Sequence, residues 1–277
     1  MSGWVWSEEA GEGARGARVL DRLLRLQEKY LPSAPYVALV QKEPETRDAL
    51  LKWALEVCWE QGCVASVFPL AVSLLDRCLS TSTSLPVSPA CLAAACILIA
   101  SKLAGGRVVD PDALSAAAAA SFLPGHLRDM ESVVLATLRW DVAAVTPHDF
   151  LPHFLALLPD EGDGFLSAVR RLGDSLVALC VSDARLLGVP PAAVAAAALS
   201  SAWRALGGTD PIGSTLARLC GVEKAALQYC CELMEGVTAE CLGIWEKQAW
   251  HPDGESPGDE VTDDRASTPT DLRQIRF

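Results

Sequence analysis

The sequence predicts an all-α protein made of two helical bundles. Apolar residues recur at helical spacing along almost the whole chain, and no stretch alternates apolar and polar residues between tight turns as a half-buried strand would. Two alanine-rich segments begin at Pro89 and Pro191, 102 residues apart, and each comes third in its set of predicted helices. Alanine is common in any helix, but the matching order favours two repeats of about 100 residues, each with a small-residue central helix.

The first bundle is predicted to contain five helices between about residues 46 and 140. The segment TRDALLKWALEVCWEQG ends at Gly62, a residue suited to closing a helix. It is followed by VASVFPLAVSLLDRCLS, SPACLAAACILIASKLAGG, DPDALSAAAAA and LPGHLRDMESVVLATLRWD. Before them, ARVLDRLLRLQEKYL predicts one helix, which the two prolines of LPSAP are expected to stop.

The second bundle is predicted from five further segments. They are TPHDFLPHFLALLP, DGFLSAVRRLGDSLVALCVSD, PPAAVAAAALSSAWRALGG, PIGSTLARLCG and VEKAALQYCCELMEGVTAECLGIWEKQAW, the last with a possible break at EGVT. The predicted organisation is an N-terminal segment with one helix (1–45), a first bundle (46–145), a second bundle (146–250) and a tail (251–277). The tail is acidic and rich in Pro and Gly, so we expect it to be disordered.

Composition and charge exclude several classes of function. The net charge is −12 over 277 residues, which argues against nucleic-acid binding because phosphates demand a basic face. The most apolar run, CLAAACILIA, is too short to span a bilayer. We therefore expect no interaction with a membrane. The start SGWVWSEEAGEG lacks the features of a secretory signal, so we expect the cysteines to be free thiols.

Neither a metal centre nor a catalytic site is predicted. The ten cysteines include no CxxC pair, and His148 and His153 are five apart, which does not place them on one helical face. Phosphate-binding, zinc-protease and nucleophile-elbow motifs are absent. We therefore expect a binding protein without a cofactor and without catalytic residues.

Specific strings resemble the D-type, G1/S-specific cyclins. They are RDALLKWALEVCWEQ, VFPLAVSLLDRCLS, ILIASKL, LRWDVAAVTPHDFLPHFL and STPTDLRQI, in the family's order over about residues 18–277. The ending STPTD is most similar to that of the third vertebrate D-type cyclin. The resemblance implies two tandem five-helix cyclin boxes, in agreement with the repeat.

The resemblance also implies what the protein does. It implies a regulatory subunit, itself not an enzyme, that binds and activates a cyclin-dependent kinase of the four/six type. It further implies retinoblastoma-family substrates, Cip/Kip-type inhibitors as partners, promotion of the G1/S transition, and location in nucleus and cytoplasm. The alternative is a cyclin-box scaffold or transcription regulator that binds partners without activating a kinase.

Lys102 and Glu131 are the candidate kinase-binding residues. Lys102 is the only charge in its apolar helix, and Glu131 lies early in the fifth helix. From the sequence alone, Lys102 is equally a lysine that complements the helix dipole at a C-terminus, and Glu131 is equally a surface carboxylate. The resemblance implies that they lie side by side and hold the backbone ends of the kinase's mobile regulatory helix.

Arg47 and Asp76 are expected to be structural. Asp76 lies in the otherwise apolar stretch LLDRCL, where a carboxylate needs a partner. The resemblance implies that Arg47 is that partner. We therefore interpret the two as an internal ion pair.

The first helix of the first box carries a candidate docking patch for substrates and inhibitors with Arg-x-Leu motifs. The resemblance places it at Leu50, Trp53 and Glu56, with Thr46 and Ala49 where relatives usually have larger apolar residues. This departure predicts weak docking, and Leu50 and Trp53 could equally be core. The Leu-x-Cys-x-Glu string that binds the retinoblastoma pocket is also missing from the N-terminus.

Thr268 is the candidate phosphorylation site. Pro269 favours an extended backbone at Thr268, a form that proline-directed kinases can bind. The resemblance implies that phosphorylation leads to nuclear export and recognition by a ubiquitin ligase. The alternative is a Thr-Pro step without function in a linker.

Overall fold

The computed structural model describes residues 5–81, 88–159, 162, 164–208 and 212–249, with the helical backbone alone for 5–15 and 240–249. Within these residues the protein is all-α, as predicted, with twelve α-helices and no strand. The helices are α1 (Val5–Leu26), α2 (Ala34–Lys42), α3 (Glu45–Glu60), α4 (Val67–Thr81), α5 (Pro89–Leu103), α6 (Pro111–Ala117), α7 (Pro124–Thr137), α8 (Pro147–Leu155), α9 (Phe165–Ser182), α10 (Pro191–Ala205), α11 (Gly213–Cys220) and α12 (Lys224–Ala249). Helices α3–α7 form the first bundle, and α8–α12 form the second.

Helix α5 is the central element of the first bundle. It begins at Pro89, where a missing N–H costs nothing, and the Ser88 hydroxyl accepts a hydrogen bond from the Cys91 N–H. All its residues from Pro89 to Ser101 are buried, against α3, α4 and α7. The alanines explain this, because small side chains let three neighbouring helices approach one helix closely.

Helix α10 repeats this arrangement in the second bundle, as the alanine repeat predicts. It begins at Pro191, is buried as far as Trp203, and packs against α8, α9, α11 and α12. Its first turn is completed from a distant part of the chain, because the buried side chain of Gln27 accepts a hydrogen bond from the Ala192 N–H at 3.0 Å. The N-terminal segment therefore helps to close the second bundle.

The N-terminal segment contains two helices, so the prediction of one helix was incomplete. Helix α1 packs its apolar stripe, including Leu20, against the second bundle. Helix α2 then begins just after Ser33, with Pro35 in its first turn. The prolines of LPSAP predict the end of a helix, but Pro35 lies in the first turn of the next one. A proline is compatible with that position because the N–H it lacks would have no partner there.

Helix α2 lies between the two bundles. Its residues Tyr36, Val37 and Val40 pack against Ala184 and Leu187, the first residue of a short 3-10 turn after α9 and the residue that follows that turn. Helices α3 and α4 also contact α9 directly. The two bundles therefore share a packed interface to which α2 contributes.

Two further expectations can be checked among the described residues. Helix α12 runs unbroken through EGVT, so the possible break there is not observed. The nine cysteines of the described side chains are free thiols. The acidic tail, residues 251–277, lies outside the described residues.

Candidate functional site

Lys102 and Glu131 meet on the surface of the first bundle. Lys102 lies in the last turn of α5 and Glu131 on α7, two helices that pack against each other. The Lys102 ammonium donates a hydrogen bond to Glu131 Oε1 at 2.5 Å. The side chains are 45% and 18% exposed, respectively. The structure thus brings the two candidate kinase-binding residues into contact.

This pair leaves hydrogen-bonding capacity for a partner. An ammonium has three donors and a carboxylate accepts several hydrogen bonds, so the mutual contact uses only part of each. The next residue, Leu103, is a half-exposed apolar side chain at the same helix end. A donor, an acceptor and an apolar side chain are therefore available together on one face of α5 and α7.

Arg47 and Asp76 form a buried ion pair between α3 and α4. Arg47 Nε and Nη2 donate to the two Asp76 carboxylate oxygens, each at 2.9 Å, and both side chains are almost fully excluded from solvent. This is the bidentate arrangement in which an arginine and a carboxylate satisfy each other best.

The same arginine reaches the second bundle. Arg47 Nη1 donates to the Ser182 carbonyl at 2.8 Å, and Nη2 donates to the Val181 carbonyl at 3.0 Å. These carbonyls end α9, where a cation complements the helix dipole. Tyr36 of α2 adds a hydrogen bond from its hydroxyl to Asp76 Oδ1 at 2.8 Å.

The charges of this network shift the pKa values of its members. Burial alone would lower the pKa of Arg47, but the adjacent Asp76 carboxylate outweighs it and keeps that pKa above its usual value. Burial, followed by the charge of Asp76, raises the pKa of Tyr36 well above its usual value of 10.0. Arg47 is therefore charged and Tyr36 neutral at physiological pH.

The residues of the candidate docking patch do not share one environment. Leu50 is 0% exposed and Trp53 is 5% exposed, and the Trp53 Nε1–H donates to the carbonyl of Ala117, the last residue of α6, at 3.2 Å. Thr46 and Ala49 are partly exposed, and Glu56 is exposed. Leu50 and Trp53 thus belong to the core and offer little surface here, so their docking role stays a prediction.

Sequence reasoning missed several members of the buried network. An arginine has five N–H donors, and the Asp76 carboxylate accepts hydrogen bonds from only some of them. A buried Arg47 therefore needs further acceptors. The Val181 and Ser182 carbonyls have no sequence signal, because any residue can supply them. Thr268 lies outside the described residues, and its role stays a prediction.

The described part of the chain contains no group of three or more potential metal ligands. Within that same part, none of the helices combines the length and the apolar character that crossing a membrane requires.

Comparisons with known proteins agree with the two-bundle architecture. Residues 18–143 match the cyclin N-terminal domain and residues 145–249 match the cyclin C-terminal domain. Over 94% of the chain, the sequence is 35% identical to G1/S-specific cyclin-D1 of Danio rerio and 36% identical to G1/S-specific cyclin-D3 of Homo sapiens. Each match covers 91% of the relative.

A solved structure shows the same fold. A viral cyclin from herpesvirus saimiri superposes with a TM-score of 0.70 at 23% identity, covering 82% of this chain and 99% of the viral one. The two bundles are therefore two cyclin boxes, and the chain belongs to the cyclin family, within its G1/S-specific D-type group.

Proposed function

We propose that this chain is the activating subunit of a cyclin-dependent kinase of the four/six type, and that the complex phosphorylates retinoblastoma-family proteins at the G1/S transition. The single observation that carries the proposal is the Lys102–Glu131 pair at the surface of the first cyclin box, in which Lys102 is exposed and Glu131 is partly exposed. The relatives that resemble the chain over nearly its whole length are named as G1/S-specific cyclins. In this role the chain supplies a binding surface, and the catalytic groups belong to the kinase.

The Lys102–Glu131 pair suits the backbone ends of a partner helix. The free carbonyls at a helix C-terminus need donors, which an ammonium supplies, and the free N–H groups at an N-terminus need acceptors, which a carboxylate supplies. Because the two side chains hold each other in place, little of their freedom remains to be lost on binding. Leu103 beside them adds apolar surface to the same contact.

The test is co-purification of the kinase with charge variants. Lys102→Glu is expected to abolish co-purification of a four/six-type kinase, because it sets two carboxylates side by side and removes the donor. The charge swap Lys102→Glu/Glu131→Lys restores the internal pair, yet it should still fail to bind because donor and acceptor have exchanged places.

A matched control for these variants is Lys42→Glu. Lys42 is an exposed lysine on α2 with only a long contact to Glu43, so reversing its charge should leave kinase binding intact. Normal kinase recovery with Lys102→Glu would refute the proposed site. Circular dichroism of each variant shows whether the helices survive.

Docking of substrates and Cip/Kip-type inhibitors is proposed to be weak in this chain. Thr46 and Ala49 present little apolar area, and Leu50 and Trp53 are buried. Glu56 is the exposed member of the patch, so Glu56→Lys changes the docking surface without disturbing the core. A change at the buried Trp53 would affect folding as well as docking. We expect phosphorylation of the retinoblastoma C-terminal region to change less than twofold with this variant, and a tenfold loss would show that the patch binds substrate.

We also propose that phosphorylation of Thr268 controls how long the protein persists. Thr268→Ala should lengthen the half-life in cells after protein synthesis is blocked, because a ubiquitin ligase would no longer recognise the tail. Thr270→Ala is the matched control, since Thr270 lies two residues away and is not followed by proline. Equal turnover of the two variants would refute the proposal. Nuclear and cytoplasmic location is part of the same proposal, and imaging of the tagged chain tests it.

The alternative is a cyclin-box scaffold or transcription regulator that does not activate a kinase. Co-expression with each candidate kinase, followed by an assay of retinoblastoma phosphorylation, distinguishes the two. Kinase activity that depends on this chain supports the first proposal, and a stable complex without activity supports the alternative.

A further inference from the structure

The end of α3 brings two cysteines together. After the helix, Gly62 adopts the left-handed conformation with φ of 62°. The Cys63 N–H donates to the Cys58 carbonyl at 2.9 Å, and the Gly62 N–H donates to the Trp59 carbonyl at 3.0 Å. This is the Schellman arrangement, which folds the residue after the glycine back onto the last turn of the helix. In this chain it places one thiol beside another.

The two thiols differ in access and interact with each other. Cys58 is buried and Cys63 is partly exposed. Hydrogen bonding to the neighbouring Cys58 thiol lowers the pKa of Cys63 to about 7, whereas hydrogen bonding to Cys63 and burial raise the pKa of Cys58. Burial raises the pKa of Cys78, Cys91, Cys96, Cys220, Cys230 and Cys231. An accessible thiol with an ionisation near neutral pH is the kind that reacts with oxidants.

We propose that Cys58 and Cys63 are a redox site, at which a hydroperoxide converts the two thiols into a reversible disulfide at the end of α3. The Cys63 thiolate attacks the terminal peroxide oxygen, the O–O bond breaks, and hydroxide (or alkoxide) leaves while Cys63 becomes a sulfenic acid. The Cys58 sulfur then attacks the Cys63 sulfur, the S–O bond breaks, and the hydroxyl leaves as water with the Cys58 proton. Overall, two thiols are oxidised by two electrons and one peroxide is reduced.

The backbone of the helix end favours this reaction. A disulfide requires that its two residues approach within a narrow range of separations, and the 2.9 Å hydrogen bond already holds Cys58 and Cys63 together. The closed loop is very short, so it constrains the unfolded chain little. We therefore expect a bond that forms without rearrangement of α3 and that thiol reductants reverse readily.

The site adjoins the segment that follows Lys102. Val64, next to Cys63, packs so closely on Gly106 that a Cβ added there would lie 3.2 Å from Val64 Cγ1. Gly106 lies in the loop directly after α5. The proposed site of oxidation therefore lies where the end of α3 contacts the loop after α5, a few residues beyond Lys102.

Peptide mass spectrometry of the purified full-length chain tests the proposal. Trypsin cuts after Lys52 and Arg77, so Cys58 and Cys63 fall in one peptide, 53–77, without any other cysteine. After brief treatment with hydrogen peroxide and blocking of the remaining thiols, this peptide should lose the mass of two hydrogens, and dithiothreitol should restore them. In the untreated chain, alkylation of Cys63 should be half-maximal near pH 7.

The variants assign the two roles. Cys58→Ala should leave a sulfenic acid at Cys63 that dimedone traps, whereas Cys63→Ser should leave peptide 53–77 unoxidised. Cys78→Ser is the control at a buried thiol of α4, and it should oxidise like the wild type. A wild-type peptide 53–77 that stays reduced while other cysteines are oxidised would overturn the proposal, as would oxidation that dithiothreitol cannot reverse.

Discussion

Arg47 makes four hydrogen bonds to two parts of the chain that lie far apart in the sequence. Two go to the Asp76 carboxylate on α4 and two go to the carbonyls that end α9 in the second box. Removing one partner of such a buried pair is strongly destabilising, because it leaves a charge without compensation. Arg47 therefore has two structural roles. It forms an ion pair inside the first box, and it links that box to the second one.

Asp76→Ala should lower the free energy of unfolding by about 3–5 kcal/mol, because Arg47 would stay buried without its counter-charge and with half of its hydrogen bonds lost. Urea unfolding followed by circular dichroism measures this. Asp112→Ala, at an exposed carboxylate on α6, is the control and should stay within about 0.5 kcal/mol of the wild type. A loss below about 1 kcal/mol for Asp76→Ala would contradict the importance of the pair.

Tyr36 makes the same network sensitive to alkaline pH. Its pKa is raised in the folded chain, so above about pH 10 the unfolded chain releases the phenol proton while the folded chain keeps it. Stability from Tyr36 is therefore complete below about pH 10 and falls above it, by about 1.4 kcal/mol per pH unit.

Tyr36→Phe removes this dependence and provides the test. Between about pH 9 and about pH 11, the wild type should lose about 1.4 kcal/mol more unfolding free energy than Tyr36→Phe. At neutral pH the variant should be less stable by about 1–3 kcal/mol, because Asp76 loses a hydrogen bond. Equal losses in the two proteins on raising the pH would exclude a shifted Tyr36.

At the scale of elements, α5 and α10 depend on small side chains. Ala95 on α5 and Ala196 on α10 are both 0% exposed, and neighbouring helices fill the space around them. Enlarging either residue must push a neighbouring helix away or force a strained rotamer.

Ala95→Leu and Ala196→Leu are each expected to lower the unfolding free energy by about 1–3 kcal/mol or more. Ala116→Leu on the exposed side of α6 should be nearly neutral, within about 0.5 kcal/mol. Thermal or urea unfolding checks all three. Neutral behaviour of both buried variants would mean that α5 and α10 are not packed as closely as the structure shows.

The helices of both boxes were predictable from the sequence because each has an apolar face and clear end signals. Both central helices begin at the prolines that defined the repeat. Helix α2 was missed because Pro35 starts a helix as readily as it stops one, and nothing local decides between the two. At EGVT the sequence suggests a break, but α12 continues through it. Packing there outweighs the weak helix propensity of Gly236 and Val237.

The candidate site was predictable only in part. Lys102 and Asp76 stand out as charges in apolar helical stretches, whereas Glu131 and Arg47 were selected through the resemblance to D-type cyclins. The structure brings each pair into contact. The Ser182 carbonyl, 135 residues from Arg47, cannot be predicted because every residue has one. Leu50 and Trp53 are buried by neighbouring helices, and Trp53 contacts the Ala117 carbonyl of α6. Helical spacing alone does not determine which helices cover a given face.

At the scale of the whole molecule, the N-terminal segment joins the two boxes. Lys29 pairs with Asp141 at the end of the first box, while Gln27 completes the first turn of α10 in the second. The segment thus contacts both boxes within a few residues.

Gln27→Ala should lower the unfolding free energy by about 1–3 kcal/mol, because the Ala192 N–H would be left buried without an acceptor. Glu28→Ala, at the exposed neighbouring position, is the control and should change little. Hydrogen exchange offers a local measurement, with faster exchange at the start of α10 expected for Gln27→Ala alone. Unchanged exchange there would show that the contact is dispensable.

The contact between Gln27 and Ala192 also sets an order of events at the ribosome. The two residues are 165 positions apart, and at roughly 5–20 residues per second the second is made about 10–30 s after the first. Helix α1 emerges first, but the box that covers its leucines is synthesised last. During that interval the apolar stripe lacks the second box on which it packs in the folded chain, so each new molecule carries an uncovered apolar surface until synthesis of that box is complete.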